Sequence, residues 1–185
     1  MKNMETITYI SLLRGINVGG KNIINMTELS LCYEELNFSS VKTYIQSGNI
    51  IFKSSEKNKL LIKQEIENKL SEKFASTITT TILSVEELNE VIYKKPVYFG
   101  EDLENFKYDI IFLIAPLSVQ DAQKEIQIRE GIDYVYFGKN VIYISRNKNL
   151  LTKSYLPKII KSKIYNNITI RSWNTIKNLY ENVNS

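Results

Sequence analysis

Apolar residues fall in two rhythms along this chain, every second position in short runs and every third or fourth in longer ones. Ile7 to Arg14 reads as a strand, and Asn25 with Glu28 three residues on forms a capping pair. That pair opens a helix whose Leu29, Cys32, Tyr33 and Leu36 share one face. Val41 to Ile45 and Asn49 to Lys53 are strand-like runs joined by Gln46, Ser47 and Gly48, a hairpin signal. A helix from about Glu56 to Phe74 carries Ile62, Ile66, Leu70 and Phe74, and a strand follows from Ile78 to Leu83. The order is βαββαβ.

Ser84 and Glu87 cap a short helix to about Tyr93, and Pro96 to Asn105 reads as a connection. The second half then repeats the first. Tyr108 to Ala115 is a strand, and Ser118 with Asp121 opens a helix expected to run to Gly131. Asp133 to Phe137 and Val141 to Ser145 flank a hairpin at Gly138, Lys139 and Asn140. A helix is expected over Lys153 to Ile164, with Pro157 in its first turn. Ile168 to Ile170 is a short strand, and a last helix from Ser172 carries Trp173, Ile176, Tyr180 and Val183 on a stripe. The pattern predicts an α+β fold of two ferredoxin-like βαββαβ subdomains, residues 1–83 and 108–185, the second with a C-terminal helix. Residues 84–107 are the helix and linker between them. The repeat lies in element order, since the halves share little residue identity.

Composition narrows the chemistry more than the fold. Among 185 residues there is no histidine, which removes Ser-His-Asp and Cys-His nucleophile systems and imidazole zinc sites; no metal is expected. Cys32 is the only cysteine and lies on the apolar face of its helix, so it reads as a core residue in a reducing cytoplasm. No apolar leader or membrane-length run is present, so neither export nor a membrane partner is expected. The net charge of +4 permits a nucleic-acid partner without arguing for one.

The stretch with most chemical content is Tyr9 to Asn22. A strand ends at Arg14 and empties into a loop with Gly15, Asn17, Gly19, Gly20 and Lys21, where fixed cations stand beside backbone N–H groups. Gly15 to Asn22 is one residue short of a phosphate loop of nucleotide hydrolases. Ile23 and Ile24 intervene before the helix, and Asn22 replaces the magnesium-binding hydroxyl, so hydrolysis is not indicated. An anion-receptive loop is. The Gln46–Asn49 turn offers Gln46, Ser47 and Asn49 as donors and acceptors, and Arg171 with Trp173 forms a cationic and aromatic pair at a helix start. These three segments are expected to meet around an anionic or nucleotide-like small molecule. Two alternatives stand beside this. In one, single-stranded nucleic acid stacks on sheet aromatics, with Tyr9 and Phe52 in the first half and Tyr134, Tyr136 and Tyr143 in the second. In the other, the chain is a non-catalytic module that self-associates. No acid–base pair stands out by its spacing, and no cofactor or oligomeric state is indicated.

Leu13 to Gly20 (LRGINVGG), Thr43 to Asn49 (TYIQSGN) and Arg171 to Thr175 (RSWNT) together resemble a bacterial family known as domain of unknown function sixteen ninety-seven. The resemblance implies paired α+β subdomains and no catalytic residues, substrate or cofactor. Ser172 departs from it, standing where asparagine is expected, and the lysine segment around Thr152 and Lys153 matches only loosely.

Overall fold

The computed structural model describes residues 5–17 and 23–184. The chain divides into two compact units, Met1–Asn89 with Leu179–Ser185 and Glu90–Asn178. The fold is α+β, with a four-stranded antiparallel sheet in each unit and a C-terminal helix. Among the described residues no helix is long and apolar enough to cross a membrane.

The first unit runs β1 (Ile7–Arg14), α1 (Met26–Glu35), β2 (Ser39–Tyr44), β3 (Asn49–Ser54), α2 (Lys59–Phe74), β4 (Thr79–Ser84) and the start of α3 (Val85–Tyr93). Its sheet order is β2-β3-β1-β4, every neighbour antiparallel. Two interleaved βαβ crossovers give that order, because each leaves room for one strand of the other between its own. The local signals act as their chemistry dictates. Asn25 Oδ1 accepts from Thr27 N at 2.7 Å, and Ser84 and Glu87 exchange reciprocal bonds at 2.9 and 3.2 Å.

One face of this sheet packs Tyr9, Leu13, Ile50 and Phe52 against Leu29 and Tyr33 of α1 and Ile62, Ile66 and Leu70 of α2. The Phe52 ring centre lies 4.7 Å from Phe38 and 5.3 Å from Tyr33. A buried polar chain runs through this core, from the Tyr33 hydroxyl to Ser11 Oγ at 2.7 Å and on to Thr80 Oγ1 at 2.6 Å. Each hydroxyl satisfies the next, so the core carries polar atoms without an unpaired donor there. The antiparallel register sets Leu12 opposite Asn49, which puts the end of β1 beside the turn that enters β3.

The second unit contains β5 (Phe106–Leu113), α4 (Val119–Glu125), β6 (Asp133–Phe137), β7 (Val141–Asn147), β8 (Ile168–Ser172) and the start of α5 (Trp173–Asn184). Its sheet order, β6-β7-β5-β8, repeats that of the first. Ile111, Ile142, Ile144 and Ile168 meet Ala122 of α4 and Leu156 and Ile159 on one face.

Two expected helices differ. The one expected to reach Gly131 ends at Glu125, and the Lys153–Ile164 helix is replaced by 3₁₀ segments at Lys148–Lys153, Leu156–Lys161 and Tyr165–Asn167. Asp133 accounts for much of this. Its carboxylate, 3% exposed, accepts from Arg129 N and Tyr155 N, both at 2.9 Å. Two amides that a helix would have used are thereby drawn to one buried charge. Pro157 supplies no N–H, and Ser162 Oγ donates to the Ile159 carbonyl at 2.7 Å, so the chain makes only short tight turns there.

Candidate functional site

In the first unit the described start of the Arg14 loop is tied to the Gln46–Asn49 turn by hydrogen bonds. β1 delivers Arg14, half-buried, to an exposed Gly15 with open space where a side chain would stand. Ile16 is 2% exposed and turns inward, pinning the loop to the core. Asn17 then ties Ile24 and the Gln46 turn to the end of β1. Its Oδ1 accepts from Ile24 N at 2.7 Å, and its Nδ2 donates to the carbonyls of Ile24 at 3.2 Å and Gln46 at 2.8 Å. A second tie runs from Leu13 N to the Gly48 carbonyl at 2.7 Å. Loop and turn are one structure.

Of the residues singled out there, Asn17 and Asn49 belong to its frame, correcting the expectation that they face a ligand. Asn49 is fully buried, and its amide donates to the Tyr44 carbonyl and Ser47 Oγ. An asparagine whose amide duplicates a backbone turn is fixed by it. Gln46 is exposed, and Ser47 half-buried, at the rim. Gly19, Gly20 and Lys21 lie outside the described residues. The turn also holds a conformation that costs energy. Ile45 has a φ of 49° and is 51% exposed, in the left-handed region that a β-branched side chain rarely enters.

The other pair belongs to the second unit. Trp173 is 5% exposed and offers little surface to a ligand. Its ring stands edge-on to Phe99 at 5.4 Å, and a side-chain carbon on Gly100 would fall 2.1 Å from its Nε1. It is a packing residue, as the first position of an apolar stripe suggests. Arg171 donates from Nη1 to the Ile170 carbonyl at 2.9 Å, and burial pulls its guanidinium down to about 10, leaving it charged at neutral pH.

Among the ring-bearing positions, Tyr9 and Phe52 are 2% and 0% exposed and lie in the core, so neither offers a face to a base. Tyr134, Tyr136 and Tyr143 do share one face of the second sheet. A charged row that spacing does not reveal crosses the opposite face, where Arg146 Nη2 bonds Asp109 Oδ2 at 2.6 Å and stands in register beside Asp133. The one available signal is an aspartate at a core-facing position of each strand. Cys32 is 1% exposed, and burial pushes its thiol above the usual range, as a core role requires. Among the described residues no group of three acidic or thiol side chains could hold a metal.

A family model described as "Protein of unknown function (DUF1697)" matches residues 6–143. The fold is also that of a solved structure, the conserved bacterial protein SP0830 from Streptococcus pneumoniae. It is 27% identical, with a TM-score of 0.82 over 96% of this chain and 98% of that one. No curated protein matches.

Proposed function

The chain belongs to the family of proteins of unknown function DUF1697, and we propose that its first unit binds an anionic, nucleotide-like small molecule at the loop after β1. The observation that carries this reading is the Asn17 clamp, which lashes the Arg14 loop to the Gln46 turn through Ile24 and Gln46. That tie holds the described start of the loop beside the turn, and the Arg14 cation there adds attraction for phosphate or carboxylate. The left-handed Ile45 supports the same reading, since an exposed strained residue is retained where the surrounding turn must hold one shape. Lys21 and the glycines beside it extend the loop in the sequence. The protein acts in the cytoplasm on this reading, consistent with its single buried cysteine.

Titration calorimetry with a nucleoside monophosphate, and with inorganic phosphate alone, tests it. Arg14→Ala is expected to weaken binding about tenfold, the loss of one charge-assisted contact. Equal affinity in the two proteins contradicts the reading.

A further inference from the structure

The face of the second sheet that carries Tyr134 and Tyr136 holds a cavity of about 570 Å³, roofed in part by residues 96–102. That volume is within the range of small-molecule sites. Its floor is already fixed. Phe99 stands edge-on to Tyr108 at 4.9 Å and to Tyr143 at 5.2 Å, and the Tyr143 hydroxyl donates to the Val91 carbonyl at 2.8 Å. Its walls are open rings. Tyr134 and Tyr136 are 50% and 53% exposed, Tyr98 is 75% exposed, and Phe106 braces Tyr134 edge-on at 5.8 Å. Aromatic rings left half in water around a formed hollow are ready to cover an apolar body without reorganising.

Charge selects among the bodies that would fit. The ionisable lining other than tyrosine is Glu101 and Asp102, and among the described residues no lysine or arginine lines the cavity. Asn105 donates to the Asp102 carboxylate through both its backbone and side-chain nitrogens, holding that carboxyl below its usual range and ionised at neutral pH. Glu101 pairs loosely with Lys95 Nζ at 3.9 Å. Aromatic faces carry negative potential, and two carboxylates add to it. Phosphate-bearing ligands and nucleic-acid strands meet repulsion here, whereas a cation meets attraction from both sources.

We propose that this cavity binds an organic cation, an alkylated ammonium bearing an apolar or aromatic group. The ammonium sits against the Tyr134 and Tyr136 faces near Glu101, and its apolar part rests on the Phe99 and Tyr143 floor. The cavity belongs to the second unit and the loop after β1 to the first.

The test compares two isosteric probes on the full chain, (3-hydroxyphenyl)trimethylammonium and neutral 3-tert-butylphenol, followed by tyrosine-ring NMR. The ammonium is expected to bind about tenfold tighter and to shift the Tyr134 and Tyr136 ring signals. Tyr136→Leu, at an exposed position that tolerates the change, is expected to erase most of that preference. Glu101→Gln is expected to weaken the ammonium several-fold and leave the phenol unchanged, and Arg14→Ala to alter neither. Equal affinity for the two probes, binding of neither, or a preference that survives both cavity substitutions overturns the proposal.

Discussion

Gly100→Ala is expected to destabilise the protein by about 3 kcal/mol, lowering its melting temperature by roughly 6–12 °C. Two costs add at this position. The backbone sits at φ +83°, where any side chain is strained, and the new carbon would fall 2.1 Å from Trp173 Nε1 and 2.6 Å from its Cδ1. The indole has little room to retreat, because Trp173 is 5% exposed and edge-on to Phe99. Gly131→Ala separates the two costs. Gly131 has φ +75° with nothing within 4 Å of the added carbon, so about 1 kcal/mol is expected from the backbone alone. Thermal and urea unfolding of both variants checks the difference, and equal losses would show that the clash contributes nothing.

In the first unit Gly48→Ala is expected to have a similar cost and also to abolish anion binding. A carbon at Gly48 would lie 2.7 Å from Ile16 Cδ1 and 2.8 Å from Leu13 Cβ, with φ at +71°. Cβ of Leu13 is fixed by the strand, so the turn itself must move, and with it the Gly48 carbonyl that Leu13 N uses. Gly15→Ala shares the positive φ but has open space, and is expected to lose only about 1 kcal/mol. Unfolding curves beside phosphate titrations of both variants decide this. A Gly48→Ala protein with undiminished affinity would detach the turn from the site.

What was legible in the sequence follows the range of each interaction. Caps and hairpins act over three or four residues, so Asn25, Ser84 and Ser118 announced helices that start where expected. The period-two and period-3.6 patterns gave eight strands and, through the βαββαβ order, an α+β fold with two antiparallel sheets. Residues 126–132 and 153–164 misread because their backbone is claimed by Asp133, whose amide partners Arg129 and Tyr155 lie on opposite sides of it in the chain. No local window contains that competition. The partners of Trp173 are equally remote, since Gly100 and Phe99 stand more than 70 residues before it. Polar side chains misread differently. Asn17 and Asn49 look ligand-facing in a polar loop, yet both amides are spent on backbone carbonyls, a choice set by turn geometry and not by residue type.

Anion binding in the first unit requires its loop and turn to act together. Amide chemical-shift mapping of the isotopically labelled chain with a nucleoside monophosphate addresses it residue by residue. Saturable shifts are expected at Arg14–Asn22 and Ile45–Asn49, with about tenfold more nucleotide needed to reach them in Arg14→Ala. Shifts absent from both segments at saturating nucleotide, or centred on another part of the chain, would contradict it.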